Sequence, residues 1–218
     1  MNKIKEIITK VISKDHKKFI EGIDFILKIE NNKKKNSTIS PISGFMNLPN
    51  GIGRNLRLLI ISNGIDVNYP YSNKGADDLC GGDELIKKLK DRDIKLNFDY
   101  CLSDIKTLPS LSSIARILGP PGLMPSIKKG TADNNLSSLI ADFVSNGRIL
   151  FKSDKFGNIH LRIGSRNFGI DEIYENIKSV ISYVKKLKYD DNRSIIIHNK
   201  SIIKTTMGKP FFIDISDI

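Results

Sequence analysis

Leu56-Arg57-Leu58-Leu59-Ile60-Ile61 is almost continuously apolar, and how this run is read decides the fold. A strand with one wet face alternates in polarity. A run without alternation suits a strand covered on both faces, as in parallel sheets flanked by helices. Moving outward, residues 83–90 read as a helix capped by Asp83, 97–102 as a strand, and 110–118 and 136–144 as helices. Strand and helix alternate through this stretch. The alternation predicts a three-layer α/β domain with a parallel sheet over residues 52–146.

The pattern differs on either side of that stretch. Residues 19–29 partly alternate and read as a strand, and Phe45 to Leu48 is a short strand ended by Pro49-Asn50-Gly51. Residues 31–40, with Lys33-Lys34-Lys35 at their centre, read as an exposed loop. Residues 148–151 and 159–163 flank Lys155-Phe156-Gly157-Asn158 as a hairpin. Ile173, Ile177, Val180, Ile181, Val184 and Leu187 then make one apolar helical stripe, with acids in the first turn and lysines in the last. Residues 194–197 and 211–215 read as strands returning to the first sheet. The expected architecture is therefore an α+β terminal domain, residues 1–51 plus 147–218, with the α/β domain inserted. The two crossings lie near Gly51–Arg54 and Asn146–Arg148, which makes a natural hinge.

Ile4, Ile7, Ile8, Val11 and Ile12 recur at helical spacing among lysines. Import sequences are rich in Arg and poor in acid. Here no Arg precedes Arg54 and Glu6 interrupts, so the stretch reads as an ordinary amphipathic helix. Among the 218 residues, 39 % are hydrophobic, enough for a real core, and the net charge is +11. Such a surplus favours polyanionic partners through phosphate contacts and counterion release. No apolar run reaches the ~18 residues of a membrane span.

Chemistry is sparse. Cys80 and Cys101 are too far apart for a CxxC pair and read as small buried hydrophobes. His16, His160 and His198 lack a second ligand at metal-binding spacing. Gly51-Ile52-Gly53-Arg54 precedes a strand where a dinucleotide fingerprint would follow one, and the phosphate loop GxxxxGK[ST] is absent. The reading is of no enzyme, no catalytic residue, no metal and no cofactor.

Shaped basic segments are better represented. Residues 118–125, Leu-Gly-Pro-Pro-Gly-Leu-Met-Pro, form a rigid loop, because Pro fixes φ and Gly permits angles other residues avoid. Gly119 and Gly122 shape it, Leu123 and Met124 suggest a docking surface, and Lys128 and Lys129 follow. Lys18-Phe19 opens the first strand. Lys204-Thr205-Thr206-Met207-Gly208-Lys209 forms a second glycine-bearing basic turn. In a sheet built from both termini these segments can meet on one surface, with Phe and Met offering apolar area to riboses and bases. The same residues serve equally well as a plain hairpin turn and a core aromatic.

Four stretches resemble, in order, the large ribosomal subunit stalk protein family "L one", of bacterial or organellar type. They are Lys18-Phe19-Ile20-Glu21; Leu48-Pro49-Asn50-Gly51-Ile52-Gly53-Arg54; residues 118–125 with Lys129-Gly130-Thr131; and residues 148–168 with the helix after them and Thr206-Met207-Gly208. The resemblance implies a split β-α-β terminal domain carrying an inserted α/β domain. It implies binding of the large-subunit rRNA stalk and release of deacylated tRNA from the exit site. It also implies an alternative role as a translational repressor of the protein's own mRNA. A nucleotide-dependent enzyme is the competing reading from outside the family. The RNA surface carried over by position is Lys18, Phe19, Glu21, Asp154, Lys204, Thr206, Met207 and Gly208, with Gly51, Gly53, Asn146 and Gly147 as hinge. Pro121, Ile52, Ser43 and Lys200 depart from the family pattern and imply a divergent lineage. The expected setting is a ribosome of the mitochondrial matrix, with bacterial cytoplasm or plastid as alternatives. No membrane and no homo-oligomer are expected.

Overall fold

The computed structural model describes residues 2–13, 18–31, 42–64, 79–91, 93–145, 147–190 and 195–217. In chain order the elements are α1 (Asn2–Ile12), β1 (Gly22–Asn31), β2 (Ser43–Asn47), β3 (Leu58–Ile61), β4 (Leu79–Gly81) and α2 (Asp83–Lys90). Then come β5 (Tyr100–Asp104), the single turns α3 (Leu108–Leu111) and α4 (Ala115–Leu118), β6 (Ala132–Asp133) and α5 (Leu136–Ser145). The chain ends with β7 (Arg148–Lys152), β8 (Asn158–Ser165), α6 (Ile170–Asp190), β9 (Ile195–Ile197), β10 (Lys200–Thr205) and β11 (Phe211–Asp214). These form two compact units, Met1–Arg54 with Asn146–Ile218, and Asn55–Ser145.

In the unit built from both ends, an antiparallel sheet runs in the order β11-β10-β1-β8, with β9 taking up the far end of β1. Ile23 lies opposite Thr205 on β10 and Gly164 on β8, so residues far apart in sequence share a register. Alternation decides the faces. Ile23, Phe25, Leu27 and Ile29 are buried, as are Ile159, Leu161 and Ile163 on β8 and Ile203 on β10. The helices α1 and α6 cover this face. α1 brings Ile4, Ile8 and Val11 against α6, β10 and β11, and α6 lays Ile173, Ile177, Val180, Ile181 and Val184 over β8 and β9. Each of those α6 side chains is at most 1 % exposed, worth about 2 kcal/mol of burial apiece. Their spacing, more than any propensity, makes α6 a helix. The sequence pattern predicts late strands at residues 194–197 and 211–215 and misses a third. β10 lies between them and supplies the pairing that joins the end of the chain to β1. Ser194 lies outside the described residues.

Among the described residues of the middle unit every strand pairing is parallel, in the order β4-β3-β5-β6. The run at β3 is buried throughout. Leu59 and Ile61 face Leu85, Ile86 and Leu89 of α2 together with Leu111, Ile114 and Leu118. Leu58 and Ile60 face Leu136, Leu139, Ile140 and Phe143 of α5. Cys101 belongs to the first of these clusters, and burial pushes its thiol up to about 12. The stretch 110–118 is not one helix. It breaks into α3, a 3-10 turn over Ser112–Ile114, and α4. No described helix is long and apolar enough to cross a membrane.

The loop after α4 corrects a sequence expectation. Leu123 is 7 % exposed and packs into the core, and Met124 packs against the same cluster. The Leu123 N–H donates to the Leu118 carbonyl at 3.0 Å, which folds the loop back onto the core. Pro120, Pro121 and the left-handed Gly122 form the exposed tip. The prolines and glycines stiffen the loop, but they turn the Leu-Met pair inward, so it is not a docking surface.

Candidate nucleic-acid interface

Formal charge is split sharply between the two units. The end-built unit carries 24 Lys and Arg against 13 Asp and Glu, and the middle unit carries 11 of each. The whole surplus of +11 therefore belongs to the unit made from the two ends.

Within it, the start of β1 and the end of β10 come together. Lys18, Phe19 and Ile20 precede β1 and are exposed, Phe19 at 53 %. The 206–208 turn leaves β10 beside them and presents Met207 at 68 % exposure. A closed set of hydrogen bonds holds the turn. The Thr206 N–H donates to the Gly22 carbonyl at 3.0 Å, and Thr206 Oγ1 accepts from the Gly22 N–H at 3.1 Å. The Met207 N–H donates to Glu21 Oε1 at 3.1 Å, and the other carboxylate oxygen accepts from Arg166 Nη1 at 2.9 Å. The Arg166 N–H also donates to the Glu21 carbonyl, at 3.0 Å. The Gly208 N–H closes on the Thr205 carbonyl, and a Cβ on Gly208 would run into Thr205 Oγ1.

Two of the expected contacts thus have internal work. Glu21 is 2 % exposed, and its carboxylate is shared between Arg166 and the turn. The Thr206 hydroxyl is committed to Gly22. What the strand end offers outward is Phe19, Met207 and the cations around them. Lys204 lies on the face away from the helices, across from Asp24. Arg162 joins it there, its guanidinium folded over Gly22 where a Cβ would stand 2.6 Å from Cζ. Burial and then the positive charge of Arg54 lower the Arg162 pKa, and Asp24 works the other way. The mutual repulsion of Arg54 and Arg162 favours an anion nearby. The alternation His160-Leu161-Arg162-Ile163 carried the signal for Arg162. No local pattern announces the Glu21–Arg166 pair, whose members lie 145 residues apart.

Asp154 stands elsewhere. Its Oδ1 accepts the N–H groups of Phe156 and Asn158, and Oδ2 accepts from Asn158 Nδ2 at 2.9 Å, so it braces the β7–β8 turn. The Asn158 side-chain hydrogen bond, then the two backbone N–H groups and His160, hold its carboxyl below the usual carboxylate range. Asn158 pairs with Lys28, six residues along β1 from Gly22. At ~3.3 Å per residue that places Asp154 about 20 Å from the Phe19 end. It stands at the opposite end of the β1–β8 ladder from Phe19 and Met207, outside their cluster.

The two crossings of the chain meet within the end-built unit. Gly51 and Gly147 are both left-handed, and a Cβ on Gly147 would run into the Cα of Gly51. The approach itself demands glycine at 147, and the left-handed φ favours glycine at both positions. Fully buried Asn176 on α6 anchors the first crossing. It donates to the Gly51 carbonyl at 3.0 Å and the Ile163 carbonyl at 2.7 Å, and accepts from the Asn50 N–H at 3.1 Å. Gly53 packs against Ser165 and Phe168. Asn146 lies outside the described residues. In the middle unit, Gly119 and Gly122 bracket the loop tip, joined by a 2.9 Å backbone bond. Lys128 and Lys129 sit on a 3-10 turn, Lys128 exposed. Among the described residues, no three His, Cys, Asp or Glu stand close enough to hold a metal ion.

A charged, tied and open strand end of this kind is that of a polyanion-binding protein. The chain belongs to the ribosomal protein L1p/L10e family, whose model its residues 8–209 match. It is 35 % identical over 202 residues to the large ribosomal subunit protein uL1 of Ehrlichia chaffeensis, covering 93 % of this chain and 89 % of that relative. It is 33 % identical over 211 residues to uL1 of Maridesulfovibrio salexigens, covering 97 % and 87 %. Against uL1 of Baumannia cicadellinicola the identity is 35 %, covering 92 % and 83 %. These relatives are bacterial, and the expected mitochondrial setting finds no support among them.

Proposed function

We propose that this chain is a structural constituent of the large ribosomal subunit, that its end-built unit grips the rRNA stalk, and that the middle unit swings about the Gly51–Gly147 crossing. The observation carrying this reading is the pairing of β1 with β10. It brings exposed Phe19 and Met207 to one strand end of the unit that holds the whole positive surplus. Affinity comes from Lys18, Lys204, Arg162 and Lys209 meeting phosphates. Shape selectivity comes from apolar contact of Phe19 and Met207 with riboses and bases in irregular RNA. The bound RNA runs from this end along the helix-free face toward the Asp154 turn, a span of about 20 Å. On this reading Glu21 and Thr206 hold the turn, Gly208 lets the RNA backbone come close, and Asp154 sets the far turn. The familial roles in releasing exit-site tRNA and in repressing the protein's own mRNA are extensions of the same RNA grip. The bacterial relatives favour a bacterial-type ribosome.

Met207→Asp tests the proposal. It adds charge to an exposed side chain, so the fold is retained while binding to transcribed large-subunit stalk rRNA falls at least tenfold. Unchanged binding by a folded Met207→Asp protein would remove the turn from the interface.

A further inference from the structure

The face of the end-built sheet turned away from α1 and α6 carries an ordered cross-strand row. His160, Ile26, Ile202 and Phe212 lie directly opposite one another on β8, β1, β10 and β11. Phe212 is 65 % exposed, and Ile26 and Ile202 are half-buried beside it. The row on one side is Arg162, Asp24 and Lys204. On the other side, Lys28 lies across from Asn158, and Lys200 across from Asp214. An apolar stripe thus crosses the sheet between two bands holding four cationic side chains and two carboxylates.

Resting on the RNA-binding reading above, we infer that this row is a stacking platform for an unpaired RNA base, with Phe212 as the stacking residue. Three observations select that occupant over a protein. Four cations against two carboxylates border the stripe, on both sides, as a phosphate backbone passing over it requires. The platform is continuous with the proposed grip, since the 206–208 turn is the link between β10 and β11. Phe212 stands on a paired strand, so its backbone is ordered before binding and little main-chain freedom is lost on stacking. A base offers a π-face whatever its identity, so the platform takes an unstacked nucleotide without reading its sequence.

The test uses the full chain and transcribed large-subunit rRNA. Phe212→Ala is expected to weaken binding about tenfold, Phe212→Tyr to retain it, and the salt dependence of binding to keep its slope, because no phosphate contact is lost. Thermal unfolding of the Ala variant verifies that the fold is intact. Three results overturn the platform: wild-type affinity in folded Phe212→Ala; a fall in the salt slope by about one contact, which makes the loss electrostatic; or conversion of a sedimenting dimer to monomer by Phe212→Ala, which assigns the row to a second copy of the chain. Met207→Asp separates the two proposals. Loss of binding there, with wild-type binding in Phe212→Ala, discards the platform and leaves the RNA reading standing. Absence of RNA binding by the wild type discards both.

Discussion

Replacing Arg166 by Met probes how the turn at the interface is held. Arg166 and Glu21 have side chains 9 % and 3 % exposed and meet at 2.9 Å. Removing the guanidinium leaves a carboxylate shut away from water, with only the Met207 N–H at 3.1 Å among the described residues to satisfy it. Breaking a buried pair in this way costs about 3–5 kcal/mol, most of it the penalty of the stranded charge and not the worth of the pair. Glu21→Gln is milder. The amide oxygen still accepts one hydrogen bond, so the loss is that of a charge-assisted bond, about 2 kcal/mol. Combining Arg166→Met with Glu21→Met removes both charges and is expected to recover at least ~2 kcal/mol of the Arg166→Met loss. Urea unfolding of the wild type, Arg166→Met, Glu21→Met, Glu21→Gln and the double variant measures these terms. Hydrogen exchange at the Met207 amide reports the turn directly and should quicken in Glu21→Met. Additive single-mutant losses, or an unchanged Met207 exchange rate, would show that the carboxylate does not join Arg166 to the turn.

Asn176→Ala leaves the Asn50 N–H and the Gly51 and Ile163 carbonyls short of a partner and is expected to cost about 2–4 kcal/mol in denaturant unfolding. Gly147→Ala must adopt a left-handed φ of 58° and meets the Gly51 backbone, so a loss of at least ~2 kcal/mol by thermal unfolding is expected. The Asp154 carboxyl titrates lower in the folded chain than its ordinary value of 3.8, so its ionised form is the one the fold favours. Its stabilising contribution is therefore complete above the unfolded value and is lost as the pH falls through the folded one. Acid titration followed by circular dichroism should show a shallower decline below about pH 4 in Asp154→Asn than in the wild type. Leu123→Ala empties a core position and is expected to cost about 3 kcal/mol, whereas Pro121→Ala at the exposed tip changes stability by less than about 0.5 kcal/mol in the same assay.

The parts of this fold written in local periodicity are the ones a reader of the chain can recover. The unbroken apolar run at β3 implies helices on both faces, and both faces are covered by α2 and α5. The α6 stripe marks its own buried side. β4 and β6, of three and two residues, carry no period at all and exist because β3 and β5 offer them edges. β10 reads Lys-Ser-Ile-Ile-Lys-Thr, in which adjacent isoleucines blur the alternation, and only pairing on both sides reveals it as a strand. Direction is a tertiary property as well. The stiffness of the 118–125 loop is visible in its prolines, but whether Leu123 points in or out depends on the cavity beneath it. A glutamate beside a basic patch looks like surface until its arginine, 145 residues later, is known to lie against it. The resemblance names Glu21 as an RNA contact, and the geometry explains how it can matter without touching RNA.

The registry of β1 also sets an order of events at synthesis. Ile23 waits for Gly164 and Thr205, the latter 182 residues downstream, while the middle unit is a single contiguous stretch with its own core. At ~5–20 residues per second the nascent β1 carries Ile23, Phe25, Leu27 and Ile29 without their final cover for about 10–40 seconds. The middle unit can therefore fold first on the emerging chain, and the RNA-gripping unit closes last, when its two ends finally coexist.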